Sequence, residues 1–181
     1  DNGIAHSNDL IRFDYINDGL PIKVIKKITD GEKSFIKKTQ MLKDLETHPS
    51  RPGIIITATN SAVFLSEDGG RHWRNLGCHT PVNGLKAVCV LDLPDAQGNP
   101  QLTVLASHSI YGAAWKQPSV SDKWQPLSEG LVPGPESDEE ISDIVVYTHQ
   151  QKQEVYASQT FTGKLYQLDW PTKRLNAVSD W

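Results

Sequence analysis

The stretch Ser66-Glu67-Asp68-Gly69-Gly70-Arg71-His72-Trp73-Arg74-Asn75-Leu76 decides how the rest of the chain is read. A carboxylate just after a serine and just before two glycines suits a tight turn. The acid accepts hydrogen bonds from the turn's backbone N–H groups, and glycine supplies the positive φ that other residues resist. The tryptophan that closes the turn carries a large ring to bury against a sheet. On either side the apolar residues come in short blocks, such as Thr103-Val104-Leu105-Ala106, Ile144-Val145-Val146-Tyr147 and Lys164-Leu165-Tyr166-Gln167-Leu168, bounded by Gly, Pro, Asn and Asp. Blocks of that length and composition predict strands. The best helical candidate, Phe35 to Glu46, fits helix and strand spacing about equally and is assigned to strand.

The end of the opening stretch recurs. Trp73-Arg74-Asn75-Leu76 returns 51 positions later as Trp124-Gln125-Pro126-Leu127, then as Leu175-Asn176-Ala177-Val178, and one step back lies Ile22-Lys23-Val24-Ile25. Upstream runs a second echo: Ala58-Thr59-Asn60-Ser61, Ala106-Ser107-His108-Ser109 and Ala157-Ser158-Gln159-Thr160, with a weaker Ala5-His6-Ser7 at the start. A strand before each of the last three echoes, around Met41 to Glu46, Leu85 to Leu93 and Ile141 to Thr148, completes a unit of four strands. Antiparallel four-strand units repeating every 40 to 50 residues or so are the signature of a β-propeller, with a β-sandwich as the alternative. The expected fold is therefore all-β: a single propeller region with blades at about 1–32 (partial), 33–80, 81–134 and 135–181. That amounts to about 3.5 to 4 blades. Propellers close with roughly four to eight, so the chain is expected to belong to a larger propeller of seven or eight blades, or to associate with another copy.

Composition narrows the function classes. The 181 residues carry 22 acids against 18 bases, a net charge of −4, so the broad positive field used in nucleic-acid binding is missing. Two cysteines exclude a disulfide-built miniprotein. The stretch Gly53 to Ser66 has 14 uncharged residues, too few and too polar to span a bilayer as a helix. The chain begins at Asp1 rather than Met, from which a processed or trimmed N-terminus is expected.

Ser66 to Trp73 resembles the Asp-box, or BNR repeat, whose pattern Ser/Thr-x-Asp-x-Gly-x-Thr-Trp marks the turn between the third and fourth strands of a propeller blade. Ser66, Asp68, Gly70 and Trp73 match, and His72 stands where Thr is usual. Ser121-Asp122-Lys123-Trp124 looks like a degenerate second copy. Propellers with this motif include sialidases, xyloglucan-cleaving glycoside hydrolases, sortilin-type receptors and photosystem assembly factors. The motif is a fold element in them, so the resemblance implies a turn-capping role for Asp68 rather than catalysis, and it does not transfer an activity. It also implies an extracytoplasmic location: secreted, periplasmic or lumenal.

Direct signs of chemistry are sparse. A sialidase needs three converging arginines; the five present are Arg12, Arg51, Arg71, Arg74 and Arg174, and no Arg-Ile-Pro sequence occurs. Asp92, Asp95, Asp143 and Asp169 fall near strand ends and could supply the paired carboxylates of another glycoside hydrolase. His72, Cys78, His79 and Cys89 match no familiar zinc spacing, so neither a metal nor a cofactor is expected. Cys78 and Cys89 are readable as a disulfide or as free thiols, the latter preferred. Lys23 to Lys43 carries seven lysines against Asp30 and Glu32, and Glu136-Ser137-Asp138-Glu139-Glu140 is acidic. The basic segment reads as a patch for an acidic partner or anionic glycan, or, preferably, as a solvated edge that resists strand aggregation. Tyr111, Trp115, Phe161 and Trp170 are the candidate aromatics of a sugar- or protein-binding face. The leading expectation is a non-catalytic propeller module that binds a protein or glycan. A fragment of an Asp-box glycoside hydrolase is the alternative, and a purely structural role is the third reading.

Overall fold

The computed structural model describes residues 3–12, 14–29, 32–80, 83–131, 140–150, 152–159 and 162–179, with the backbone alone over 23–29, 32–39 and at 179. Two short pairs come first: β1 (Ala5–His6) with β2 (Asp14–Tyr15), and β3 (Ile22–Thr29) with β4 (Glu32–Thr39). Three four-stranded antiparallel meanders follow. The first holds β5 (Asp44–Thr47), β6 (Ile55–Ala58), β7 (Val63–Ser66) and β8 (Arg74–Gly77). The second holds β9 (Leu85–Pro94), β10 (Pro100–His108), β11 (Ala113–Lys116) and β12 (Gln125–Leu127). The third holds β13 (Asp143–His149), β14 (Lys152–Gln159), β15 (Lys164–Asp169) and β16 (Arg174–Ser179). No helix occurs among the described residues, and none is therefore long and apolar enough to cross a membrane.

Strand alternation explains how the sheets pack. Along β9, Val88 and Val90 turn to one face while Ala87, Cys89 and Leu91 turn to the other. The first set meets Ile54, Ile56, Ala58, Val63 and Leu65 of the first sheet; the second meets Ile144, Val155, Ala157, Tyr166 and Leu175 of the third. The middle sheet is thus buried on both faces, which is why its strands read as nearly continuous apolar runs. On its other face the first sheet packs Phe64 and Trp73 against Ile4 and Leu20. The initial strands lie side by side, β5 and β13 each contacting β9. Cys78 packs with the first of these cores and Cys89 with the second, so the two free thiols sit toward opposite faces of the middle sheet.

Register refines the repeat. Thr57, Ala106 and Ala157 occupy equivalent places: they pair with Phe64, Ala114 and Tyr166, and Phe64 and Tyr166 each follow the same irregularity in the pairing of third with fourth strand. The echo beginning at Ala58 is therefore one residue out of step with the other two, and a one-residue slip exchanges the faces of a strand. Corrected, the series reads Thr57-Ala58-Thr59, Ala106-Ser107-His108 and Ala157-Ser158-Gln159. Its third member is a buried polar residue in each sheet, at 1%, 0% and 2% exposure. All three cap the loop that follows. Thr59 Oγ1 accepts the Ser61 and Ala62 N–H groups, His108 Nδ1 accepts those of Ile110 and Tyr111, and Gln159 Oε1 accepts the Thr162 hydroxyl. Tyr166, fully buried, adds its own hydroxyl to Gln159 Oε1 at 3.0 Å.

The fourth-strand repeat keeps its register: Trp73, Trp124 and Leu175 each stand one place before residues paired to equivalent third-strand positions. All three clasp the preceding unit. The indole N–H groups of Trp73 and Trp124 donate to the carbonyls of Ile16 and Leu76, and the backbone N–H groups of Trp73 and Leu175 donate to Asp18 and Glu129. Ile22 to Ile25 does not belong to this series. It lies in β3, which among the described residues pairs with β4 alone, so the fourth copy expected from the 51-residue step is a coincidence of sequence. The β3–β4 hairpin runs across residue 33, where a unit boundary was expected, and closes with the Gln40 N–H on the Pro21 carbonyl. The segment from Phe35 to Glu46 is indeed extended, but it belongs to two strands, β4 and β5, in different sheets.

Candidate functional site

The turns between third and fourth strands, together with the hairpin loops at 47–55 and 94–100, gather at one end of the sheets. The sheet-to-sheet connections lie at the other. At the turn end, Ser66 donates its hydroxyl to Asp68 Oδ1 at 2.8 Å while its Oγ accepts the Gly70 N–H at 2.8 Å. Asp68 Oδ1 also accepts the His72 N–H at 3.0 Å, and Oδ2 lies 2.6 Å from His72 Nδ1. Gly69 and Gly70 both take positive φ, 76° and 89°, and a Cβ on Gly70 would fall 2.3 Å from the Ile16 Cδ1. Ser66, Asp68, Gly70 and Trp73 are thus brought together as a turn cap, and His72 serves where a threonine hydroxyl was expected. The backbone N–H and ring of His72 hold the Asp68 carboxyl well below the usual carboxylate range, and the carboxylate holds the imidazole above its usual value.

The signs fix where this pair stabilises the fold. The His72 contribution is complete below about pH 6.5 and fades as pH rises through its raised value; that of Asp68 is complete above about pH 3.8 and fades in stronger acid. In an Asp68→Asn variant the His72 ring, followed by NMR, is expected to titrate closer to pH 6.5, and the variant's melting deficit is expected to be greatest between about pH 4 and 6.5. An unchanged His72 titration would show that the carboxylate does not hold the ring.

A second turn of the same construction went unnoticed in the sequence. β1 and β2 pair in the manner of β7 and β8, so Ser7 stands where Ser66 does. Ser7 donates to Asp9 Oδ1 at 3.3 Å, its Oγ accepts the Leu10 N–H at 2.8 Å, and Asp9 Oδ1 accepts the N–H groups of Ile11 and Arg12. Those N–H groups lower the Asp9 pKa. The only surviving signal is Ser-x-Asp: Leu10, at φ 61°, replaces glycine, and Phe13, outside the described residues, stands at the tryptophan position. The expected copy at Ser121 to Trp124 is built otherwise. Its corner is held by Lys116, whose Nζ donates to the carbonyls of Leu76 and Asp122, while Ser121 Oγ accepts the Lys123 N–H.

The four candidate aromatics do not form one face. Tyr111 is half exposed at the connection end, against His108, and Phe161 lies outside the described residues. Trp115 and Trp170 meet at the turn end, edge to face, with centroids 4.9 Å apart. Trp170 is buried and donates its indole N–H to the Pro94 carbonyl at 2.7 Å, tying the third sheet to the β9–β10 loop. Lys173, at φ 57°, places its ammonium 3.4 Å from the Trp170 centroid and donates to the Trp170 carbonyl. Its burial pushes the ammonium pKa down. Around these residues lies a cleft of about 500 Å³, lined also by Asp95, Gln117 and Pro171.

The four candidate acids are committed elsewhere. Asp92 is bracketed by Arg51 and faces His48 Nε2 at 3.6 Å. Asp95 accepts the N–H groups of Gln97 and Asn99, Asp143 accepts the N–H of Ile144, and Asp169 accepts the Thr172 hydroxyl. Glu46 on β5 is the exception that sequence reading passed over. Partial burial and the charges of Asp44 and Asp143 raise its pKa. Among the described residues no three His, Cys, Asp or Glu side chains stand close enough to share a metal ion.

At the connection end, His79 lies beside His108 and Trp124, with its Nε2 buried and without a hydrogen-bond partner. Burial, and then the neighbouring His108, push its pKa down to about 4. Burial lowers His48 in the same direction. The unfolded chain therefore takes up protons first, and stability is expected to fall as pH drops from 6.5 toward 4. With the solvent that reaches the ring allowed for, the loss at His79 is about 2 kcal/mol. Urea melts of His79→Phe are expected to show a shallower decline over that range. An identical decline would place the acid sensitivity elsewhere.

Comparison of the chain with known protein families and with curated proteins finds no match to either.

Proposed function

We propose that the chain is part of an Asp-box β-propeller that works as a binding module for a protein or glycan, without chemistry of its own. The observation that carries this reading is the clasp repeated at Trp73, Trp124 and Leu175 between successive units, with Ser-x-Asp turns capping two of them at the same register. Four-stranded meanders stacked face to face with their first strands adjacent are the blade arrangement of propellers. The family resemblance then gives the extracytoplasmic location as part of the proposal. The binding role is supported by the way Asp92, Asp95 and Asp169 are each tied into a turn or ion pair, and by the open aromatic cleft at the turn end.

One observation favours the hydrolase alternative: desolvation, then the charges of Asp44 two residues away on β5 and of Asp143 on β13, raise the pKa of Glu46. Incubating the protein with aryl sialosides, aryl β-glucosides and xyloglucan oligosaccharides separates the two. The binding module is expected to release no product above buffer and to retain a saturable signal on a glycan or protein array. Turnover that disappears in Glu46→Gln would establish the hydrolase instead.

A further inference from the structure

We infer that the cleft between Trp115 and Lys173 is a saccharide site, taking an uncharged pyranose chain. The inference rests on the binding-module reading and specifies its ligand. Three features at the turn end meet the needs of a sugar ring, which presents a face of C–H bonds and a girdle of hydroxyl groups that both donate and accept. The first is a platform. Lys173 holds its ammonium 3.4 Å from the Trp170 centroid and 5.4 Å from that of Trp115, which is half-buried in β11 and packs on the core between the second and third sheets. Trp115 is the more exposed of the two indoles and lines the cleft, so its open part, beside the ammonium, is the surface a sugar ring can meet. It is held upright by its edge-to-face contact with a buried neighbour.

The second feature is a positioned donor. Lys173 spends one N–H on the Trp170 carbonyl, and among the described residues no acceptor side chain lies within bonding reach of its remaining hydrogens. Asp169 acts on it only through its charge. A partly desolvated ammonium held over an indole gains from a hydroxyl or ring oxygen. The third is an acceptor. Asp95 spends Oδ1 on two turn N–H groups and is also bonded by the Asn99 side chain, while Oδ2 meets the Gln101 amide at a long 3.4 Å, which leaves the carboxylate lone pairs to accept at the rim. One cation and one carboxylate leave the cleft near neutral, which favours an uncharged saccharide over an acidic one. Its volume of about 500 Å³ is that of an ordinary small-molecule site.

The test uses calorimetry and NMR with maltohexaose, cellohexaose, xylohexaose and chitohexaose, and with hexagalacturonate and a hexa-aspartate peptide as acidic probes. At least one uncharged hexaose is expected to bind and to shift the Trp115 indole N–H signal while leaving those of Trp73 and Trp124 in place. Trp115→Leu and Lys173→Met, each checked for a native melt, are expected to weaken it about tenfold, and Asp95→Asn a few-fold. The indole shift in the wild-type protein decides the matter if a variant fails to fold. Preference for an acidic probe would overturn the uncharged-saccharide assignment. Binding that survives Trp115→Leu, or leaves the Trp115 signal unmoved, would overturn the site yet keep the binding module. Absence of binding by every probe would overturn the saccharide site, while the array above still judges the module.

Discussion

Gly130→Ala is expected to cost about 3 kcal/mol or more, lowering the melting temperature by roughly 6–12 °C, and Gly19→Ala is expected to do the same. The two glycines fill the same place in the first and third clasps, those of Trp73 and Leu175. Asn17 to Leu20 and Ser128 to Leu131 make matching turns, closed by the Leu20 N–H on Asn17 and the Leu131 N–H on Ser128. In each turn the residue before the glycine offers its carbonyl to the fourth strand of the next sheet. Gly19 and Gly130 have φ of 87° and 93°, and a Cβ would fall 2.2 Å from the Trp73 carbonyl oxygen and 2.1 Å from that of Leu175. Both obstacles are backbone atoms, so no rotamer change relieves them. Gly98 provides the control: its φ is 86°, but nothing lies within 4 Å of its Cβ position. Gly98→Ala should cost only the conformational strain, about 1 kcal/mol. If all three variants melt alike, the clasp contributes nothing beyond glycine's freedom to turn.

Trp73→Ala is expected to cost about 3–5 kcal/mol, a large share of the stability of a domain this size. The ring is 6% exposed and packs with Ile4, Leu20 and Phe64. It is also the point at which residues 4–20 are fastened to the first sheet, by the indole N–H on Ile16 at 2.7 Å and the backbone N–H on Asp18 at 2.8 Å. Trp73→Phe separates these contributions. It keeps most of the apolar contact and loses the indole bond, for an expected cost of about 1–2 kcal/mol. Amide exchange should follow the same order, with the Ile16 and Trp73 N–H groups protected in the wild type, weakened in the Phe variant and open in the Ala variant. Equal loss in Phe and Ala would mean that the hydrogen bond, not the packing, joins the two parts.

These two sites show what the sequence could and could not disclose. The fourth-strand repeat was visible because a tryptophan clasp tolerates few substitutes: only a large apolar residue reaches the preceding unit. Its last copy survives as Leu175, where the backbone N–H alone makes the clasp. The second-strand repeat was harder to place. Its defining member is a loop-capping acceptor, and Thr59, His108 and Gln159 meet that need with an oxygen, a ring nitrogen and an amide. The alanine echo drew attention to neighbours that vary, hence the one-residue slip. The Ser7 to Asp9 turn escaped because Leu10 adopts the positive φ that Gly69 takes elsewhere. Ile22 to Ile25 misled for the opposite reason: a large apolar residue followed three places later by an aliphatic one suits a strand of any kind, and this one lies in β3. Trp115 and Trp170 are legible as binding-face aromatics, but nothing in their spacing foretells that Lys173 lies across them.

The central claim is that the three meanders are successive blades about one axis, and a crystal structure of the protein tests it most directly. The account predicts that β5, β9 and β13 stand nearest that axis and β8, β12 and β16 farthest from it, each sheet reached from the last by a similar rotation, with the indoles of Trp73 and Trp124 on the carbonyls of Ile16 and Leu76. Sheets related by translation alone, or folded on one another as a two-layer sandwich, would contradict it.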